Sequence, residues 1–186
     1  MFGYNWRSGR AVSAGISIRP FQDRDSQAVQ DLFVLVNRQL APPGARDAFE
    51  AYIARSLTEE MARINAYYTE RGGGFWVAGR AEQIVGMFGL ERTTESPCHA
   101  TELRRMYVDP SARRGGIGRS MLLFAEAESR RLGATRLELS TSELQLAALE
   151  LYRRSGYRLV REEIADQASN KTVGGGIRRY YFEKRL

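Results

Sequence analysis

The chain has 186 residues and a mass of 21.0 kDa, a size that favours one domain. Hydrophobic residues make up 43% of it, so an ordinary globular core can form. The longest apolar run, residues 32–36, is far shorter than the roughly 18 residues of a membrane-spanning helix. Residues 1–15 contain no apolar core of signal-peptide length. We therefore expect a flexible leader over residues 1–15, one domain over residues 16–186, and a soluble, cytoplasmic protein that does not use a membrane.

The single cysteine and the single histidine exclude several kinds of site. An intrachain disulfide cannot form, and a zinc site built from clustered Cys and His side chains is excluded, so we expect no metal. Cys98 and His99 end the segment Ser96-Pro97-Cys98-His99, which is typical of a turn. We expect neither side chain to take part in catalysis.

The chain carries 28 Lys and Arg against 22 Asp and Glu, for a formal charge of +6. A basic surface favours anionic partners such as phosphates, nucleic acid, acidic metabolites or a membrane face. Only Lys171 and Lys184 are lysines, and the arginines are dispersed along the chain rather than gathered in one tract. Because no nucleic-acid-binding motif occurs either, we do not expect a nucleic-acid partner.

The first half of the chain predicts one strand, two helices and two further strands. Residues 16–20 alternate as in a strand, and apolar residues at helical spacing predict a helix over residues 25–38. A second helix is predicted beyond the break at residues 41–44, with one core stripe formed by Phe49, Ile53, Leu57, Met61, Ile64 and Tyr68. Residues 75–78 and 84–90 then read as two strands.

The second half predicts a strand at residues 101–108, a helix beginning near Ile117, a strand at 136–140 and a helix at 145–154. Two closing strands, at residues 157–161 and 177–183, flank a polar, glycine-rich segment at 165–176 that we expect to be mobile. The order β-α-α-β-β-β-α-β-α-β-β predicts one α/β domain in which helices flank a mixed sheet.

Residues 111–119 join a strand to a helix and are rich in arginine and glycine. Such a turn suits phosphate, because glycines allow close backbone approach and the free amides of a helix N-terminus attract an anion. The dinucleotide pattern G-x-G-x-x-G is absent, and so is the Gly-Lys-Ser/Thr loop that binds nucleoside triphosphates. The pattern present is Arg113-x-x-Gly116-x-Gly118.

This pattern resembles the coenzyme A signature (Gln/Arg)-x-x-Gly-x-(Gly/Ala) of the GNAT superfamily of N-acetyltransferases. Residues 148–157 resemble the family's later helix, which displays a tyrosine ahead of a Gly-Phe or Gly-Tyr strand entry. The resemblance covers roughly residues 16–186. Residues 75–78, 84–87 and 141–148 are most similar to the camello-type branch, but this sequence shows no counterpart of the apolar membrane segment of its eukaryotic members.

The resemblance implies a mostly antiparallel sheet and acetyl-CoA as the acyl donor. The coenzyme A pyrophosphate would be bound by the backbone amides of Arg114, Gly115, Gly116, Ile117 and Gly118, with added charge from Arg113 and Arg119. The pantetheine arm would pair, like an added strand, with the main chain of Met106, Tyr107 and Val108. Gln145 stands where many relatives carry an asparagine that holds this arm.

The resemblance also implies the catalytic residues. Tyr152 would protonate the departing thiolate, and the backbone amide of Val108 is the candidate donor to the oxyanion. Glu102 would accept the proton of the amine, usually through water, and Glu138 is the alternative base. The alternative for Glu102 is a solvated or salt-bridged strand glutamate, with Arg104 or Arg105 nearby. The alternative for Tyr152 is packing under the sheet.

The sequence thus predicts direct transfer of an acetyl group from acetyl-CoA to a primary amine of a small molecule or peptide. Three alternatives stay open: acetylation of a protein lysine or N-terminus, coenzyme A sensing without turnover, and a basic nucleic-acid-binding module. Arg178 and Arg179, near the predicted cleft mouth, favour an acceptor that carries a carboxylate. A homodimer is also left open, since dimers are common among the relatives that the resemblance suggests.

Overall fold

The computed structural model describes residues 3–5, 10–13, 15–93 and 99–186, with side chains from residue 15 onward. The strands are β1 (Gly3–Asn5), β2 (Arg10–Ser13), β3 (Ile16–Pro20), β4 (Gly74–Arg80), β5 (Gln83–Arg92), β6 (Ala100–Val108), β7 (Arg136–Ser142), β8 (Arg158–Ala165) and β9 (Ile177–Arg185). The α-helices are α1 (Ser26–Leu40), α2 (Arg46–Glu59), α3 (Ile64–Thr69), α4 (Ile117–Arg131) and α5 (Leu146–Arg154). No helix in this described part is both long enough and apolar enough to cross a membrane.

The strands form a single sheet in the order β1-β2-β3-β4-β5-β6-β7-β9-β8. Each neighbouring pair is antiparallel except β6 and β7, which run parallel because the α4 crossover joins them. The predicted fold class, one α/β domain with a mixed and mostly antiparallel sheet flanked by helices, is confirmed.

The N-terminal residues contain strands that the sequence analysis did not predict. The short strands β1 and β2 extend the sheet beyond β3, with Ala11 opposite Ile18. Residues 1, 2, 6–9 and 14 of the predicted leader lie outside the described residues. The flexibility of residues 1–15 and the domain start at residue 16 stay predictions.

The core lies on both faces of the sheet, as β4 illustrates. Trp76 and Ala78 belong to the cluster beneath α4 and α5, whereas Phe75 and Val77 belong to the cluster beneath α1, α2 and α3. Alternate side chains of a strand point to opposite faces, so a strand covered on both sides is apolar along its length. The helices therefore form one layer on each side of the sheet.

The predicted second helix is interrupted in the structure. Its core stripe is confirmed, since Phe49, Ile53, Met61, Ile64 and Tyr68 are buried and Leu57 packs against them. The continuous helix, however, is wrong: α2 ends at Glu59, a short 3-10 turn follows at Met61–Arg63, and α3 begins at Ile64. The break turns the Glu60 side chain into the protein, where it is fully buried.

Candidate active site

The parallel strands β6 and β7 separate partway along their length. Residues 100–103 of β6 pair with residues 136–139 of β7, and the pairing ends beyond Leu103 and Leu139. On its other side β6 remains paired with β5 as far as Val108, which lies opposite Gly86. The edge of Met106, Tyr107 and Val108 that faces β7 therefore has no strand neighbour, and it can accept an extended ligand as an added strand.

A β-bulge shapes the place where β6 and β7 separate, which we call the fork. Met87 lies opposite Tyr107 but Gly89 lies opposite Arg104, so β6 carries one extra residue between these pairs. Arg105, within the bulge, has a positive φ of 53°, which is uncommon outside glycine. The bulge bends β6 at the point where the pairing with β7 ends, which fits its place at a ligand site.

A buried ionic cluster holds the bulge in place. The Glu60 carboxylate accepts hydrogen bonds from Arg105 Nη2 at 2.7 Å, from Arg104 Nη2 at 3.2 Å and from the Tyr68 hydroxyl at 2.6 Å. Burial by itself would raise the pKa of Glu60, but the Arg105 and Arg104 guanidiniums outweigh burial and hold that pKa below its usual value. The interruption between α2 and α3 and the bulge in β6 thus stabilise each other.

The arginine- and glycine-rich turn leads from β6 into α4 as predicted. Arg114 and Gly116 have left-handed backbone conformations, with φ of 65° and 76°, which let the chain turn before the helix begins at Ile117. The first amide that bonds back into this turn is that of Ser120, which donates to the Gly116 carbonyl. Within the described residues, no acceptor is paired with the amides of residues 114–119, so these groups are available to an anion.

Four exposed arginines surround this turn. Arg113, Arg114 and Arg119 belong to the turn itself, and Arg113 donates to the Val108 carbonyl at 3.3 Å. Arg80 comes from the end of β4, and its guanidinium lies 3.2 Å from the position that a Cβ on Gly115 would occupy. The sequence analysis did not find Arg80, because nothing local to β4 indicates that its end meets a turn formed much later in the chain.

Tyr152 projects from α5 to the fork. Its hydroxyl lies 3.9 Å from Met106 Sδ, a weak acceptor, and its ring packs against Tyr157 and Phe182. Burial raises the pKa of Tyr152 well above its ordinary value, because the phenolate would be desolvated. The structure therefore presents a protonated hydroxyl beside the free edge of β6.

A cavity opens at the fork and is called the fork cavity; it is lined by residues 37, 40, 49, 52, 102–107, 140–142, 145, 152, 170–173, 177 and 179. Gln145 lines it at the start of α5. Its side-chain oxygen accepts hydrogen bonds from Thr141 Oγ1 at 2.9 Å and from the Ser142 amide at 3.3 Å. The Gln145 side chain therefore holds the end of β7 in place.

The two predicted candidates for the base occupy different surroundings. Glu102 lines the fork cavity and forms an ion pair with Lys171 at 2.5 Å. Burial alone would lower the pKa of Lys171, but the Glu102 carboxylate outweighs burial and raises that pKa above its usual value. Glu102 is salt-bridged, as the alternative interpretation expects, but its partner is Lys171, since Arg104 and Arg105 bind Glu60. Glu138 lies opposite Glu102 across the two strands, pairs with Arg136, and lines a neighbouring groove rather than the fork cavity.

The segment between β8 and β9 covers one side of the cavity. The Asn170 carbonyl accepts from Arg105 Nη2 at 2.7 Å and from Arg104 Nη2 at 3.4 Å, and its side chain donates to the Tyr67 hydroxyl at 3.1 Å. Lys171 adds the ion pair with Glu102. The segment that composition predicts to be mobile is thus anchored in this structure through Asn170 and Lys171.

The remaining candidates lie away from the fork. The His99 carbonyl accepts from the Thr135 amide at 2.7 Å ahead of β6, and His99 does not line the fork cavity. Cys98 and the rest of its predicted turn lie outside the described residues. In residues 15–93 and 99–186, no group of His, Cys, Asp and Glu side chains is arranged to hold a metal ion.

Known acetyltransferases are similar to this chain in sequence. The sequence matches the Acetyltransferase (GNAT) family over residues 43–157. It is 33% identical over 121 residues to N-acetyltransferase 8B of Rattus norvegicus, a match that covers 61% of this chain and 53% of the relative. It is also 33% identical over 123 residues to N-acetylaspartate synthetase of Danio rerio, covering 63% and 42%. The chain spans about half the length of these curated relatives.

Solved structures share the fold. The PaiA N-acetyltransferase of Thermoplasma acidophilum, solved in complex with coenzyme A, superposes with a TM-score of 0.68 at 18% identity, covering 92% of this chain and 99% of that one. Relatives of the N-acetyltransferase 8 group bear out the resemblance to the camello-type branch. The family match extends over more than half of the sequence, and the chain belongs to the acetyltransferase (GNAT) family.

Proposed function

We propose that this chain transfers the acetyl group of acetyl-CoA directly to a primary amine of a small molecule or peptide. The observation that carries the proposal is the fork between β6 and β7. It combines an unpaired strand edge, a turn of available amides at one end and a buried phenol alongside. An extended thioester with a pyrophosphate at one end has the shape and charge that this combination fits.

The turn would hold the coenzyme A end of the donor. The amides of residues 114–119 would bind the pyrophosphate, since they lie at the N-terminus of α4 and have no partner among the described residues. Arg80, Arg113, Arg114 and Arg119 would contribute the positive charge that a multiply phosphorylated ligand requires. Met106, Tyr107 and Val108 would then pair with the pantetheine arm and direct the thioester into the fork.

The reaction would proceed by attack of the neutral amine nitrogen on the thioester carbonyl carbon. The Val108 amide would donate to the oxyanion, and the carbon–sulfur bond would break as the thiolate takes the proton of the Tyr152 hydroxyl. The nitrogen would lose its surplus proton as the amide forms, and a proton from solvent would restore the Tyr152 hydroxyl. Most of the acceleration would come from holding amine and thioester in attack geometry. Donation by an acid would add about 100-fold. This is a small share of the acceleration, because a thiolate is already a good leaving group.

Glu102 would accept the proton of the incoming amine. It forms an ion pair with Lys171, and both side chains line the fork cavity. A water molecule would carry the proton from the amine to this carboxylate. In this scheme Lys171 positions Glu102 and does not itself react.

A thermal-shift titration with acetyl-CoA, coenzyme A and ATP tests the donor site. A ligand at 100 times its Kd adds about 2.7 kcal/mol, which moves the melting temperature of a chain this size by about 5–10 °C. We expect both coenzyme A species to stabilise the protein and ATP not to. Release of the free thiol is then measured with a panel of primary amines. Absence of a shift with acetyl-CoA, or of thiol release with every amine, refutes the proposed function.

A further inference from the structure

Four cationic side chains line the fork cavity, and three of them are neutralised by carboxylates of this chain. Arg105 is paired with Glu60, and Arg104 with Glu60 and Glu91. Lys171 is paired with Glu102. The fourth is Arg179, which projects from β9 into the same cavity as Tyr152 and Glu102.

Arg179 has neutral partners in place of a carboxylate. Its Nη1 donates to the Lys171 carbonyl at 2.7 Å, and its Nη2 donates to the Ser140 hydroxyl. Among the described residues no carboxylate forms an ion pair with it, and its guanidinium carbon lies 5.9 Å from the centroid of the Tyr181 ring. A half-buried guanidinium held by neutral oxygens gains from exchanging them for an anion, because hydrogen bonds between ionised partners are stronger.

The position of Arg179 relates it to the acceptor. Ser140 directly follows Leu139, the last residue of β7 that pairs with β6, so the guanidinium lies where the fork opens. Of the two arginines that the sequence analysis places near the cleft mouth, only Arg179 lines the cavity. Arg178 is exposed, forms an ion pair with Glu162 at 3.4 Å, and does not line the cavity.

We propose that Arg179 binds a carboxylate carried by the acceptor, so that the site selects amines of the amino-acid class. The inference rests on the proposed acetyl transfer and adds the substrate class to it. The planar guanidinium can bind the two carboxylate oxygens in bidentate fashion in place of Ser140 Oγ and the Lys171 carbonyl. This contact holds the acceptor while its amine faces the thioester.

The test compares amines that differ only in the carboxylate. Each set of acceptors contains an amino acid, its amide and the decarboxylated amine, for example L-phenylalanine, L-phenylalaninamide and phenethylamine. Dipeptides with free and amidated C-termini distinguish a free amino acid from a peptide as the source of the carboxylate. We expect kcat/KM to favour the free acid by about 10- to 100-fold over its amide, the range of a charged hydrogen-bonded contact.

Arg179→Gln and Arg178→Gln form a matched pair, since each removes one positive charge from adjacent residues. We expect Arg179→Gln to abolish the preference for the acid, mainly through a KM that rises more for the acid than for its amide. Arg178→Gln is expected to keep the preference, and Arg179→Lys to restore part of it. A normal acetyl-CoA thermal shift shows that each variant is folded.

Two results overturn the inference while leaving the proposed function intact. The first is acetylation of acids and amides with equal kcat/KM by the unaltered protein. The second is an Arg179→Gln variant that binds acetyl-CoA normally and loses the same factor with acids and amides. If no amine of the panel is acetylated at all, the proposed function itself fails, and the inference fails with it.

Discussion

Tyr152→Phe separates the chemical role of this phenol from its structural role. The hydroxyl has one hydrogen-bond partner among the described residues, Met106 Sδ at 3.9 Å, and sulfur is a weak acceptor. Removing it therefore strands no strong polar group, and the ring keeps its packing against Tyr157 and Phe182. We expect the free energy of unfolding to change by less than about 1 kcal/mol.

The expected kinetic effect is larger than the structural one. If the hydroxyl protonates the departing thiolate, its loss lowers kcat by about 100-fold, while the Kd for acetyl-CoA stays the same. Turnover does not vanish, because positioning and the oxyanion donor are unchanged. Burial raises the pKa of Tyr152, so the acid stays protonated above the ordinary tyrosine value of about 10, and kcat shows no alkaline loss from this group below that pH.

The assay follows thiol release at saturating acetyl-CoA and amine from pH 6 to 10, together with thermal unfolding and acetyl-CoA titration of both proteins. Tyr152→Leu serves as the comparison that also removes the aromatic packing. A Tyr152→Phe protein that binds acetyl-CoA and turns over at the normal rate refutes the acid role. A large loss of stability in that variant refutes the inference that the hydroxyl is structurally dispensable.

Three further predictions concern stability and the donor site. Glu60→Gln leaves Arg105 buried without its anion and is expected to cost about 3–5 kcal/mol in urea unfolding; a loss below 1 kcal/mol contradicts the proposed anchoring. Asp25, whose pKa the Arg19 guanidinium lowers against the opposing effect of burial, stabilises the fold above its unfolded pKa near 3.9 and progressively less as pH falls through its folded value. Asp25→Asn should therefore cost about 2 kcal/mol at pH 7 and progressively less as the pH falls below about 3.9, as a series of unfolding curves from pH 7 downward will show. Arg80→Gln should weaken coenzyme A binding about tenfold with a shallower salt dependence, and an unchanged Kd in titration excludes Arg80 from the donor site.

The sequence determines by local rules most of the element order and the turn that precedes α4. Apolar spacing places the core stripe of α1 and of the α2–α3 region, because side chains three and four residues apart share one face of a helix. Arg113, Gly116 and Gly118 mark the turn because close anion approach and a positive φ need that chemistry within a few residues. The location in the cytoplasm and the homodimer stay predictions from the sequence.

The tertiary structure alone decides features that join distant parts of the chain. The spacing of apolar residues predicts one continuous helix through Glu60. The structure interrupts it there, because Glu60 turns inward to Arg104 and Arg105, which come from β6. Arg80 reaches the turn from β4, and the pairing of Glu102 with Lys171 joins β6 to the segment before β9. Ion pairs, and the place where two strands separate, depend on which distant residues the fold brings together. No pattern among neighbouring residues in the sequence predicts them. Arg178 and Arg179 are neighbours of identical chemistry, yet strand alternation directs only the second into the fork.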